Sequence, residues 1–311
     1  MADPVPTFAG LPQPAVGDHP GEFGSEAERQ WRRVLRRFLR HRLAVASLLV
    51  LLVLILGSFF GATIARYGYD EYTADLSSAP SLEHWFGTNA IGQDTLAQVL
   101  RGARRSLLVA FLVAVLSTTF GTFVGALAGY YRGILDVVLM RLTDLFLTIP
   151  ALAVLLVVAS RFQGESGNWV AISLVIAGVA WMPLARVVRG IFLSLREREF
   201  VEAARALGAS DRRIIVRHLL PNSLGPVIVN ATLLVAAAIG IETALSFLGF
   251  GIAPPDTSLG RLVAEGATAA RTRWWLFYMP GLYLVLISLC INFVGDGLRD
   301  AVDPQGTSVR A

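Results

Sequence analysis

Six apolar stretches punctuate the chain, at 43–65, 107–130, 142–160, 169–188, 224–250 and 274–295. A helix needs ~20 largely apolar residues to cross the hydrocarbon core of a bilayer. The pattern therefore predicts an all-α, polytopic membrane protein with six transmembrane helices. The second stretch carries Gly121, Gly125 and Gly129 at four-residue spacing, a small-residue face that lets membrane helices approach closely. The third contains Pro150 and the fourth Pro183. Such breaks are tolerated where neighbouring protein or water satisfies the freed carbonyls, so these two spans are candidate walls of a pathway.

Between the fourth and fifth stretches lies a polar island within 196–222, reading EAARALGASDRRIIVRHLLPN from Glu202 to Asn222. Its first part is rich in helix formers and places Phe200, Ala204 and Leu207 on one face. Gly208 can take the left-handed conformation that ends a helix. Ser210 then offers an N-cap and Asp211 a first-turn acid, Ile214, Ile215 and His218 form a second stripe, and Arg217 suits a negative C-terminus. Pro221 is expected to stop this second helix. Two short helices with outward apolar stripes cannot bury those stripes on each other, so the segment reads as a docking surface; the alternative is a solvated loop on the membrane surface.

Composition narrows the chemistry. Of 311 residues 54% are hydrophobic, with mean hydropathy +0.59, above the apolar share of ordinary soluble domains. The net charge is +4 and all 27 basic residues are arginine. Without lysine the chain cannot carry a G-x-x-x-x-G-K-[ST] phosphate loop; ATP, if used, is bound by another subunit. Cys290 is the sole cysteine and has no intrachain partner, and His19, His41, His84 and His218 stand at no metal-ligand spacing. Arginine crowds 29–42, 186–217 and the C-terminal end, which predicts that both termini and the 196–222 island are cytoplasmic. Arg101, Arg104 and Arg105 fall on the disfavoured side and are expected on an interfacial helix, where arginine can snorkel. Residues 1–30, aperiodic and rich in Pro, Gly and acids, are expected to be a disordered cytosolic tail rather than a secretory signal. Residues 31–304 form the six-span domain and 305–311 a second cytosolic tail.

Glu202, Ala203 and Ala204, then Gly208, then Leu220 and Pro221 resemble the EAA loop of the permease subunits of bacterial binding-protein-dependent ABC importers; the chain has His218 where that pattern usually has isoleucine. HWFGTNAIGQD at 84–94 and RGARRSL at 101–107 resemble the C-type permease of dipeptide and oligopeptide importers, which more often have GTD and GRD where Asn89 and Gln93 stand here. LSFLGFG at 245–251, Pro254 and Pro255, Trp274 and Trp275, Pro280 and Gly281, and NFVGDGLRD at 292–300 are similar to the same group. The resemblance implies an ABC importer type I permease architecture in the bacterial inner (plasma) membrane, supplying half of a translocation pathway for peptides. It implies as partners a second homologous permease, two ATPase subunits or one fused ATPase chain, an extracytoplasmic substrate-binding protein and membrane lipid, with no nucleic acid. It implies no cofactor or metal in this chain, ATP in the partner subunits, and ATPase coupling through Glu202, Ala203, Ala204, Gly208, Leu220 and Pro221. Relatives carry dipeptides, longer peptides, nickel or haem-like ligands, so the resemblance leaves the cargo open.

Glu242 is the one acid deep within a predicted span. An intramembrane carboxylate is costly and suggests function; it would line the pathway, or serve as a structural partner for a neighbouring polar group. Asn230 and Asn292 would be helix-to-helix hydrogen bonds. No nucleophile with a base and no paired carboxylates support an enzyme. A self-contained secondary carrier would show paired repeats, and no internal repeat is found. A membrane-anchored enzyme or a carrier therefore explains the sequence less well than a transport subunit.

Overall fold

The structure, a computed structural model, describes residues 32, 34–162 and 168–302. The tails expected at 1–30 and 305–311 lie outside the described residues. The described chain is helical, with one isolated bridge between Thr88 and Asp94 in place of any strand. Five helices are long and apolar enough to cross a membrane, and a bent pair supplies a sixth candidate crossing.

Helix α1 (Arg42–Ile64) starts where His41 Nδ1 accepts the Ala44 amide at 3.1 Å, and it realises the first predicted span. The second span is longer than the hydropathy predicted. Asp94 caps it by accepting the Ala97 amide at 2.8 Å, and α2 runs from there as Thr95–Tyr131, 37 residues. The Arg101, Arg104 and Arg105 segment is thus the opening of α2 and not a separate surface helix.

Next come α3 (Gly133–Thr148) and α4 (Ala151–Ala159), bent by 80° against each other. Pro150 sits at the bend; the residue before a proline is pushed out of the helical region, and Ile149 has ψ 133. The expected single span at 142–160, preceded by a polar stretch, is corrected to a broken helix pair that starts at Gly133. Pro183 behaves differently, because α5 (Trp169–Leu195) runs through it without a break. Helix α5 packs along α2, where Gly121, Gly125 and Gly129 meet its backbone: added Cβ atoms would come within 2.7 Å of the Trp181 and Arg189 carbonyls and collide with that of Ala185. The small-residue face works as the sequence suggested.

The polar island folds as α6 (Glu199–Ala206) and α7 (Asp211–Ile214), and α7 continues through a π-turn over Ile215–Leu219 into α8 (Leu220–Phe247). Pro221 therefore does not stop the second helix. A proline within a helix lacks an N–H and clashes with the carbonyl four residues back; the wide turn just before it, in which the Leu220 amide donates to Ile215 five residues back, relieves both. Asn222 Nδ2 donates to the His218 carbonyl at 2.6 Å. Asn230 likewise bonds within its own helix, to the Pro226 carbonyl at 2.8 Å, instead of bridging to another. A short α9 (Leu259–Ala267) and the final α10 (Trp275–Val302) complete the fold.

Contacts sort the helix ends. Phe38 and Ala44 pack on Ala301, Tyr130 at the end of α2 reaches Asp211, and Arg132 pairs with Glu197, so these share one end with the island. At the other end, Asn168 donates to the carbonyls of Phe162 and Gly251, and Trp275 Nε1 donates to Thr88 at 3.1 Å. The α3–α4 pair links the two ends, consistent with a crossing. Residues 84–94 form a folded loop at the second end: His84 is buried, bonds Asp94 at 2.8 Å through Nδ1 and stacks on Tyr67, while Asn89 and Gln93 bond each other through side chains at 2.9 Å.

Candidate docking site

Helix α6 opens with Glu199 and Glu202, which favour its positive N-terminus, and carries Arg205 in its last turn. Gly208 has φ +78; its amide donates to the Arg205 carbonyl and that of Ala209 to Ala204, both at 3.0 Å. This is the paired-bond Schellman ending, which needs a left-handed residue at the Gly208 position. Ser210 stands at the expected N-cap of α7, but its side chain makes no capping bond. Asp211 in the first turn instead accepts from the Tyr130 hydroxyl at 2.6 Å.

The hairpin is anchored by Val201, Ala204, Ile214 and Leu219, which are buried together with Tyr130, Leu184, Val188 and Phe192. The inward stripe of α6 is thus Val201 and Ala204. Phe200 and Leu207 point outward, Leu207 with 88% of its surface exposed. Of the coupling residues expected from sequence, Glu202, Ala203, Gly208 and Pro221 are exposed, whereas Ala204 is buried and Leu220 packs against the same cluster. The outward face joins Phe200, Leu207 and Val216 to exposed Arg198, Arg205, Arg212, Arg213 and Arg217.

Sequence reasoning missed the ties beneath this hairpin. Arg189 grips Asp136 with two hydrogen bonds of 2.5 and 2.6 Å, Arg186 pairs with Asp144, and Arg196 donates to the Tyr130 carbonyl. Arg132 pairs with Glu197 and holds that carboxyl below its ordinary range, chiefly through the hydrogen bond it donates. Only the residue types were legible. Asp136 and Arg189 are 53 positions apart, with no local pattern joining them.

Glu242 lies far from this site, near the other end of α8, and is fully enclosed. Its Oε2 accepts from Ser106 at 3.0 Å and its Oε1 from Ser246 at 2.7 Å. Nearby, Asp256 pairs with Arg101 at 2.9 Å and with Arg105, while Arg104 stands over Phe59 with 5.3 Å to the ring centroid. Of Arg101, Arg104 and Arg105, two thus have an acidic partner from the 251–258 segment.

A bundle of up to six crossings with an anchored helical hairpin at one end defines a polytopic membrane component of a transport system. Residues 121–305 match the family described as binding-protein-dependent transport system inner membrane component, and the chain belongs to it. Residues 29–81 match the N-terminal TM domain of oligopeptide transport permease C. The oligopeptide transport system permease protein OppC of Mycobacterium tuberculosis (strain H37Rv) is 49% identical over 278 residues, 89% of this chain and 95% of that protein. OppC of Escherichia coli K12 is 40% identical over 90% of this chain and 93% of its own length. A putative peptide permease protein of Brucella suis is 42% identical, covering 88% and 90%. A chain from a solved structure of inward facing conformations of the MetNI methionine ABC transporter superposes with TM-score 0.54 at 23% identity, over 66% of this chain and 96% of that one. That last likeness concerns the fold.

Proposed function

We propose that this chain is a permease subunit of an ATP-driven importer of peptides, forming half of the translocation pathway. The observation that carries the reading is the hairpin at 199–219: buried along one side, it presents Glu202, Ala203, Leu207 and the arginines of α7 outward on a fixed support. Relatives named for oligopeptide and peptide transport supply the cargo class. In this reading the hairpin docks on an ATPase subunit that binds and hydrolyses ATP, this chain being no enzyme itself. A second homologous permease completes the pathway, and a binding protein delivers peptide at the opposite face. The arginine-rich hairpin end faces the cytoplasm of a bacterial inner membrane, with both termini on that side.

The test is uptake of labelled peptides of two to five residues into proteoliposomes holding both permeases and the ATPases, with the binding protein added. ATP-dependent uptake that vanishes when this chain is omitted supports the reading. Uptake by this chain alone, driven by an ion gradient, would establish a secondary carrier instead.

A further inference from the structure

The docking hairpin and the far end of the molecule are joined by one rod. The backbone is helical from Asp211 to Phe247, 37 residues, or about 55 Å at a rise of 1.5 Å per residue. Glu242 sits near the far end of that rod, and what surrounds it belongs to three different elements.

Ser106 and Ser246 each donate to Glu242, at 3.0 and 2.7 Å. Ser106 is then free to accept, and it takes the backbone amide of Leu259 at 3.2 Å. The Ser246 and Ser258 hydroxyls bond each other at 3.2 Å, and Ser258 accepts the amide of Arg261 at 3.2 Å. Two hydrogen-bonded chains thus run from amides in the first turn of α9 to one carboxyl group, through Ser106 of α2 and through Ser258 and then Ser246 of α8. Packing agrees, because Cβ atoms added at Gly102 and Gly260 would stand 2.9 Å from Ser258 and 2.6 Å from Thr243. Beyond its first turn α9 packs on the start of α10, where a Cβ added at Gly266 would collide with the Leu276 carbonyl, and clefts of about 270 and 450 Å³ border its other sides, one beside Leu262 and Glu265 and the other beside Arg261 and Ala264.

We infer that Glu242 is a positioning residue that locks the start of α9 to α8, so that a displacement of the docking hairpin travels along the rod and moves α9 at the opposite membrane face. The inference rests on the importer reading. It gives the buried acid a part in coupling without contact with cargo: the Glu242 carboxyl is the common partner without which both serine chains lose their end point. Leucine at 242 would take from the buried Ser106 and Ser246 hydroxyls the group they donate to, and Ser258→Ala would cut one chain while sparing the other.

The experiment uses the reconstituted complex of both permeases, the ATPases and the binding protein. In a Cys290→Ala background, spin labels at Thr63 and Thr268, both exposed, report the distance between the end of α1 and the end of α9, without nucleotide and with ATP trapped by vanadate. The parent is expected to change distance on ATP binding. Glu242→Leu is expected to lose that change and to lower uptake roughly tenfold or more, within the range of ordinary coupling free energies, while ATP hydrolysis continues. Ser258→Ala is expected to reduce the change by less, and it decides the matter if Glu242→Leu fails to assemble. A parental distance change that survives in these variants, or a parent with active uptake but a static α9, overturns the inference. A parent complex with no ATP-driven uptake would refute the importer reading instead.

Discussion

Tyr130 donates its hydroxyl to Asp211 at 2.6 Å, joining the last turn of α2 to the first turn of the docking helix α7. The two residues are 81 positions apart, and the tyrosine is buried while the aspartate is exposed. Removing the hydroxyl leaves Asp211 able to turn to water, so Tyr130→Phe should cost near the low end of the ~1.5–3 kcal/mol typical of a hydrogen bond to a charged group. The expected result is faster amide hydrogen exchange at 199–219, with the transmembrane part of α8 unchanged. Identical exchange in the two proteins would show that the bond does not hold the hairpin.

The turn at Gly208 makes a sharper prediction, because nothing lies within 4 Å of a Cβ placed there. Crowding is absent and only the left-handed backbone matters. Gly208→Val should suffer a penalty of roughly 1–2 kcal/mol or more, releasing the ATPase subunits on purification and abolishing uptake although the chain still inserts. Gly208→Asn, which tolerates that conformation, should keep both. Equal behaviour of the two variants would exclude backbone strain as the cause.

At the α2–α5 contact the argument is steric. A side chain at Gly125 would strike the Ala185 carbonyl and come within 2.8 Å of Val188 Cβ, so Gly125→Leu should cost at least the ~1–3 kcal/mol of ordinary overpacking. Gly190 has open space around its Cβ, and Gly190→Ala should gain about 0.5–1 kcal/mol of helix stability. Thermal unfolding in detergent compares the pair; a Gly125→Leu protein as stable as the parent would contradict the close packing.

Orientation is tested by single cysteines in a Cys290→Ala background. Ala79, Thr268 and Ser210 are all exposed. Cysteines at Ala79 and Thr268 should react with an impermeant thiol reagent added to intact cells, and one at Ser210 should react only after lysis. Labelling at Ser210 in intact cells would invert the assignment.

How much of this was written in the chain depends on distance along it. The spans and the hairpin were legible because apolar length and a Gly208 stop are local signals. Proline was not: Pro150 bends the chain by 80°, while Pro183, Pro221 and Pro226 lie within continuous helices. The ring is the same in each case, and the surrounding packing decides. The outward stripe of α6 was read as Phe200, Ala204 and Leu207; Phe200 and Leu207 do face outward, whereas Ala204 joins Val201 on the buried side, because apolar residues occupy both faces. The Arg101 and Asp256 pair, 155 positions apart, and the serine chains at Glu242 exist only once the helices are assembled.

The π-turn at Ile215–Leu219 sets the phase between two halves of one helix. Ile214 and Leu219 are both buried in the same cluster, yet five residues of regular α-helix would point them about 140° apart at 3.6 residues per turn. The wide turn absorbs one residue and brings them into line, after which burial resumes at Ser223 and Val227, a regular four residues apart. The rotational angle at which Arg212 and Arg213 face outward is therefore set by one surplus residue. Winding the same residues as unbroken α-helix would turn that face by roughly 100° relative to α8, with every side chain of the docking surface still present.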